Sequence, residues 1–175
     1  MSVHVAFLRA INVGNRRVSM DRLRTPLEKA GFEGVATFIA SGNVAFEASD
    51  EIAALERRVE EALTDSLGFE VVAFVRTIAE LGRVIAQNPF EGEDAAALTH
   101  VGFFKRPLPA SRRAALEALS NETDALRARG KEVYWLARAG MGRATVSGAD
   151  IEKITGRSTT LRSLKMLRRL HAKVA

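Results

Sequence analysis

The feature that most constrains the fold is an apolar run at residues 3–8 that leads directly into a polar loop. Alternate residues of a strand face opposite sides of a sheet, and in this run both sets are mostly apolar. Such a strand is covered on both faces, so we expect it in the middle of a sheet. The rest of the chain is then organised around this strand.

The order of predicted elements in residues 3–76 is that of a ferredoxin-like fold. Hydrophobic periodicity, cap residues and turn residues place these elements. In order they are a strand at 3–8, a helix from Ser19 to Gly31, strands at 35–40 and 44–46, a helix from Ser49 to Gly68, and a strand at 71–75. The order β-α-β-β-α-β follows.

The second half repeats this order in part. The spacing of Thr77 and Glu80 predicts a capped third helix, which Asn88-Pro89 ends. After an acidic connector at 91–97 come a strand at 99–104, a helix at 109–119, a hairpin of 125–128 with 132–136, a helix ending at Gly156, and a last helix from about Thr160. The two halves agree in element order, and we find no repeated sequence behind that agreement.

We therefore predict an α+β protein made of two ferredoxin-like (βαββαβ-type) halves packed together. The N-terminal half covers residues 1–90. The C-terminal half covers residues 98–175 and ends in a basic amphipathic helix. We make no prediction of the oligomeric state.

Composition and motifs exclude several functions. The chain has no cysteine, which rules out disulfides, thiolate nucleophiles and cysteine-ligated zinc. No apolar run approaches the ~18–20 residues of a membrane span, and no signal peptide is evident, so we expect a cytoplasmic protein. The common nucleotide and metalloprotease motifs are absent, and the histidines lie far apart in sequence. We predict no cofactor and no metal, and we assign no reaction.

A candidate binding site lies where the first strand ends. An arginine, two asparagines and a glycine follow the strand, and a loop of this composition can turn several backbone N–H groups toward an anion. A helix N-terminus and further arginines come next. In a ferredoxin-like sheet the turn between the second and third strands lies at the same end. The predicted ligand-binding residues are Arg9, Asn12, Gly14, Asn15, Ser41, Gly42 and Asn43.

The ligand predicted for this site is a small anionic or phosphate-bearing molecule. The alternative interpretation is a tight strand-to-helix turn with solvated arginines, because the same residue types are common in turns.

The basicity of the chain comes from its last segment. Residues 157–175 carry six basic and no acidic residues, whereas residues 1–156 carry 20 basic and 21 acidic ones. At 100° per residue, the last segment separates into an apolar side and a basic side. The alternative function is therefore nucleic-acid binding through Arg162, Lys165, Arg168 and Arg169. The same pattern also fits a helix that docks on the body of the protein with a solvated basic face. It fits a purely structural or interaction role as well.

Several motifs resemble the bacterial family known as domain of unknown function 1697. They are Arg9-Ala10-Ile11-Asn12-Val13-Gly14, Ser41-Gly42-Asn43-Val44, Asn88-Pro89-Phe90, Lys131-Glu132-Val133-Tyr134 and Gly142-Arg143. The resemblance implies two ferredoxin-like halves and no established activity. The chain departs from the family pattern at Ala10, where glycine is usual, and at residues 162–166, where the family usually has Arg-Asn-Trp followed by a polar pair.

Overall fold

The structure, a computed structural model, describes residues 1–39, 42–93 and 98–175. Its strands are β1 (Ser2–Leu8), β2 (Glu33–Thr37), β3 (Asn43–Ala48), β4 (Ala73–Thr77), β5 (Thr99–Phe103), β6 (Asp124–Arg129), β7 (Glu132–Ala137) and β8 (Thr160–Ser163). Its α-helices are α1 (Met20–Lys29), α2 (Ile52–Leu67), α3 (Ile78–Ala86), α4 (Ala110–Glu117), α5 (Gly148–Thr155) and α6 (Leu164–Val174). The chain forms two compact units, Met1–Leu81 with Leu170–Ala175, and Gly82–Arg169.

Each unit contains one four-stranded antiparallel sheet, and the strand order is the same in both. The order is β2-β3-β1-β4 in the first unit and β6-β7-β5-β8 in the second. The apolar strand β1 lies between β3 and β4, as predicted, and β5 lies between β7 and β8. The predicted α+β class with two similar halves is confirmed. Both halves have the element order β-α-β-β-α-β, which the sequence predicts in full only for the first.

The prediction missed the last strand. We assigned the residues from about Thr160 to the final helix, whereas Thr160–Ser163 form β8 and α6 begins at Leu164. β8 pairs with β5, where Arg162 lies opposite Val101. The threonines at 159 and 160 are β-branched and favour a strand. The Ser163 hydroxyl then accepts a hydrogen bond from the Met166 N–H at 3.2 Å, which fixes the start of the helix.

A short sequence repeat accompanies the structural one, and the sequence comparison overlooked it. The central strands contain Val3-His4-Val5-Ala6-Phe7 and Thr99-His100-Val101-Gly102-Phe103. The register is also the same, since Val5 lies opposite Arg76 of β4 and Val101 lies opposite Arg162 of β8. The equivalence of the two halves therefore extends to individual residues.

Each unit has its own apolar core between its sheet and its helices. In the first unit Leu8 of β1 belongs to one buried cluster with Leu27 of α1 and Leu55 of α2. In the second unit Trp135 of β7 belongs to a cluster with Leu116 of α4 and Ile151 of α5. The apolar stripes predicted for the first two helices are therefore the faces that pack on the sheet.

Most of the predicted helix signals act locally, as expected. The predicted start at Ser49 is wrong, because α2 begins at Ile52 with Glu51 as its N-cap and no side-chain cap bond. Ser19 accepts a hydrogen bond from the Arg22 N–H at the start of α1. Thr77 with Glu80 and Ser147 with Asp150 form reciprocal capping boxes.

Carboxylates from α2 satisfy N–H groups along β4, an outer strand of the first sheet. The buried Glu56 accepts a hydrogen bond from the Val75 N–H at 3.1 Å. One helical turn later, Glu60 accepts one from the Ala73 N–H at 2.9 Å. Unpaired N–H groups on an outer strand are open to pairing with another chain, and these two glutamates remove that opportunity.

The second unit uses the same device on both of its outer strands. Glu117 of α4 accepts a hydrogen bond from the Ala128 N–H of β6 at 3.1 Å. Glu152 of α5 accepts one from the N–H of Thr159, just before β8, at 3.2 Å. The helices are thus attached to the sheets by hydrogen bonds as well as by apolar packing.

We predict that Glu56→Ala destabilises the protein by about 1–3 kcal/mol, because the buried Val75 N–H would lose its acceptor. Glu56→Gln keeps an acceptor oxygen and should cost less. Glu61→Ala changes an exposed residue of the same helix and serves as the control. Unfolding followed by far-ultraviolet circular dichroism would measure the three differences. Equal effects of Glu56→Ala and Glu61→Ala would show that the bond contributes nothing.

Candidate functional site

The loop between β1 and α1 is held in shape by Asn12. The Asn12 side-chain oxygen accepts a hydrogen bond from the Val18 N–H at 2.7 Å, and the Asn12 N–H donates to the Arg16 carbonyl at 2.8 Å. Ala10, Asn12 and Gly14 have φ values of 60°, 58° and 60°, and the residues between them do not have positive φ. Alternation of this kind can turn backbone N–H groups toward one side of a loop. The loop is therefore a folded turn.

A surface pocket lies at the N-terminus of α1. Its volume is about 620 Å³, and it is lined by Asn12, Gly14, Arg17, Val18 and Ser19. The first N–H groups of a helix have no partner within the helix, and the helix dipole places partial positive charge at that end. Arg17 is exposed and adds a full positive charge. Arg17 and the positive end of the helix dipole lie at the same pocket, an arrangement that can attract an anion.

The two loops predicted to be neighbours are in contact. The Leu8 N–H donates to the Gly42 carbonyl at 2.8 Å. A Cβ atom at Gly42 would lie only 3.0 Å from the Ile11 Cβ and 3.2 Å from the Leu8 Cβ. The neighbourhood is confirmed, but the space at Gly42 is filled by side chains of the protein. Gly42 was predicted as a ligand-binding residue, and what its missing side chain allows is close packing against Leu8 and Ile11.

The predicted asparagines differ in what they do. Asn43 is buried at the start of β3, and its side-chain N–H donates to the Phe38 carbonyl at 2.9 Å. Asn43 therefore holds its own turn, as Asn12 holds the first loop. Asn15 is exposed. Ser41 lies outside the described residues.

Two arginines of the first loop differ from Arg17 in their surroundings. Arg9 is half-buried, and its backbone N–H donates to the Val72 carbonyl at 2.9 Å. The Arg16 guanidinium lies 4.7 Å from the centre of the Phe69 ring. Of these three cations only Arg17 lines the pocket. The predicted ligand-binding set omitted Arg17 and Ser19, which line the pocket. The sequence feature that could have indicated both is the arginine pair Arg16-Arg17 just before the helix cap Ser19.

A second groove lies between α1 and α2 and has a volume of about 600 Å³. Its lining carries charges of both signs and comprises Asp21, Arg22, Thr25, Pro26, Lys29, Ala62, Asp65 and Ser66. Because acidic and basic side chains both line this groove, it does not favour an anion.

The four basic residues of the nucleic-acid alternative do not share one exposed face. Arg162 is buried in β8 and donates to the Thr160 hydroxyl and the Leu161 carbonyl, so its expected place on the last helix is wrong. Burial lowers the pKa of Arg162 to about 10. Arg168 binds both carboxylate oxygens of Glu91 at 2.9 Å. Lys165 and Arg169 are exposed.

A buried carboxylate in the second unit organises a separate polar cluster. Asp124 accepts hydrogen bonds from the Trp135 indole N–H at 2.7 Å, from the Thr145 N–H at 2.9 Å and from the Thr145 hydroxyl at 2.7 Å. Burial raises the pKa of Asp124, but the hydrogen bonds from Thr145, Trp135 and Thr123 lower it by more, so the carboxyl has a pKa below its ordinary value. The Thr123 hydroxyl donates a fourth hydrogen bond to Asp124 at 3.2 Å. Because all four donors belong to the protein, the cluster is structural.

Two further groups have shifted pKa values for simple reasons. Burial lowers the pKa of His100, and the Leu98 carbonyl opposes this only in part. Burial also raises the pKa of Tyr134, whose hydroxyl donates to the Val84 carbonyl at 2.6 Å.

Among the described residues, no group of three or more histidine and carboxylate side chains is placed to hold a metal ion. Nor does any described helix have the length and apolarity to cross a membrane.

Two similar units, each with one four-stranded antiparallel sheet and its helices, define the class of protein as an α+β fold with two similar halves. The chain belongs to the family described as protein of unknown function DUF1697, whose model matches residues 1–134. The solved structure of the conserved bacterial protein SP0830 from Streptococcus pneumoniae is similar, with a TM-score of 0.75 and 23% identity over 99% of this chain and 98% of that one. At this identity the likeness concerns the fold. No curated protein matches the chain.

We predict that Asp124→Asn destabilises the second unit at neutral pH by roughly 1.5–3 kcal/mol, because an amide N–H would face the donors of Thr145. The native contribution is complete above the unfolded pKa of about 3.9 and is lost as the pH falls through the lower folded pKa. The variant should therefore lose less stability than the wild type on acidification below pH ~4.

Urea unfolding at several pH values, followed by fluorescence of the single tryptophan Trp135, would test this. Glu122→Gln, an exposed change two residues away, is the control. Parallel pH profiles for Asp124→Asn and the wild type would contradict the prediction.

Proposed function

We propose that the protein binds a small anionic or phosphate-bearing ligand in the pocket between the β1–α1 loop and the N-terminus of α1. The observation that supports this most directly is that Arg17 and the helix cap Ser19 line the same pocket. A helix N-terminus beside an arginine is a recurrent arrangement for phosphate binding in proteins.

The charged residues of the loop beside the pocket are all positive. Residues 9–20 contain three arginines and no acidic residue. Asp21, in the first turn of α1, forms an ion pair with Arg24 at 3.0 Å, which partly neutralises the nearest carboxylate. The local potential is therefore positive although residues 1–156 are close to neutral overall.

The predicted site residues take different roles in this proposal. Gly14 has no heavy atom within 4 Å of where a Cβ would lie, so its backbone is open to a ligand. Arg17 would supply the charge. Asn12 would keep the loop folded by its bond to Val18. Arg9, Gly42 and Asn43 would not contact the ligand and would hold the adjoining backbone in place. No reaction is assigned.

Nucleic-acid binding through α6 is the second candidate. It is supported by the exposed Lys165 and Arg169. It is weakened by the buried position of Arg162 and by the ion pair that Arg168 makes with Glu91. The pocket at α1 is preferred because its charge and its backbone groups converge on one place.

We predict that inorganic phosphate raises the melting temperature of the wild-type protein and that Arg17→Ala abolishes this rise. A ligand at ~100 times its dissociation constant adds ~2.7 kcal/mol of stability, which is readily measured. Arg113→Ala removes an exposed arginine of α4 in the second unit and is the control. If Arg17→Ala responds to phosphate as the wild type does, the proposed site is wrong.

We also predict that any binding to short DNA or RNA weakens steeply with salt and is lost in the double variant Lys165→Gln with Arg169→Gln. Fluorescence anisotropy of labelled oligonucleotides at two salt concentrations would measure it. Binding that survives in this variant would remove α6 from consideration.

A further inference from the structure

Two large apolar side chains are exposed at one end of the first unit. Among the described residues, the exposed large hydrophobic side chains are those of Met1, Val13, Ile39 and Met141. Val13 is 63% exposed on the β1–α1 loop, and Ile39 is 43% exposed after β2. These two loops adjoin, because Gly42 bonds to Leu8 and packs against Ile11. We call this region, residues 9–19, 38–39, 42 and 68–72, the loop end.

Basic residues lie on the loop end or beside it. The β1–α1 loop contributes three arginines. The Lys173 ammonium lies 5.2 Å from the centre of the Phe38 ring, next in sequence to Ile39. Glu70 is the acidic residue of the loop end. The loop end therefore combines net positive charge with protruding aliphatic side chains.

Ile39 is an unexpected residue for its backbone. Its φ is 56°, in the left-handed region that β-branched residues rarely adopt and that asparagine or glycine would accept more easily. With 43% of its surface exposed, the isoleucine is packed against the protein only in part. A role for its side chain outside the protein would explain why an apolar residue stands at this position.

We propose that the loop end docks the protein onto an anionic lipid surface. Val13 and Ile39 would enter the headgroup layer, and Arg16, Arg17 and Lys173 would bind lipid phosphates. This rests in part on the proposed function, since the pocket lined by Arg17 would receive a headgroup phosphate.

A lipid surface fits this arrangement better than a protein partner does. The two aliphatic side chains stand on separate loops, and neither of them lines the pocket at α1. A fluid headgroup layer accepts separate points of insertion, whereas a protein partner requires a continuous complementary surface. Binding by two aliphatic side chains and a few cations would be weak and reversible, and it requires no spanning helix.

Co-sedimentation of the full chain with vesicles would test the proposal. We expect binding to phosphatidylcholine vesicles that contain phosphatidylglycerol, no binding to phosphatidylcholine alone, and loss of binding at high salt. The double variant Val13→Ser with Ile39→Asn should bind roughly tenfold or more weakly. Both positions are exposed and asparagine suits the backbone at 39, so the variant should fold. Its melting curve and the separate single variants would verify this.

Met141→Ser, which removes an exposed apolar side chain of the second unit, should bind vesicles as the wild type does. Equal binding to neutral vesicles, or unchanged binding by the double variant, would overturn the docking proposal. A phosphate-dependent rise in melting temperature without vesicle binding would overturn it too, while leaving the phosphate site intact. If phosphate does not raise the melting temperature of the wild-type protein but the protein binds vesicles, the proposed phosphate site is wrong and the docking proposal stands.

Discussion

The pairing of β1 on both of its edges is the constraint from which the first unit follows. Because β3 and β4 both run antiparallel to β1, the end at which β1 finishes is the end at which both neighbours begin. The backbone confirms this directly, since Leu8 bonds to Gly42 and Arg9 bonds to Val72. Three loops must therefore meet beside the exit of β1. The strand pairing alone therefore places the β1–α1 loop beside the two other loops, whatever residues it contains.

The glutamates of α2 show how the helix layer is aligned with the sheet. Four residues of helix rise about 6 Å, and two residues of strand rise about 6.6–6.8 Å. Carboxylates at positions 56 and 60 can therefore reach alternate N–H groups, at positions 75 and 73, when helix and strand run in opposite directions. Apolar contacts alone are non-directional and permit sliding along the strand. These bonds fix one alignment of α2 on β4.

Sequence reasoning succeeded where the signal is local and failed where it depends on the folded chain. Cap residues and left-handed glycines at 68 and 156 mark helix ends because their chemistry involves only nearby backbone. β8 has only four residues and runs directly into a helix, so no turn residue separates the two patterns. The roles of Asn12 and Asn43 illustrate a second limit. An asparagine that binds a ligand and one that binds its own loop have the same sequence signature, and only the position of the partner distinguishes them.

Net charge is a poor guide to the binding surfaces of this chain, for a physical reason. The six basic residues after position 156 look like one cationic surface, but Arg162 enters a sheet and Arg168 pairs with Glu91. The N-terminal segment looks neutral because its acids and bases cancel over 156 residues. Screening limits each charge to about 8–10 Å at physiological salt, so the field at a pocket depends on its immediate neighbours. The residues that line the pocket with Arg17 are Asn12, Gly14, Val18 and Ser19, and none of them is a carboxylate, so the positive charge of Arg17 is not offset within the lining.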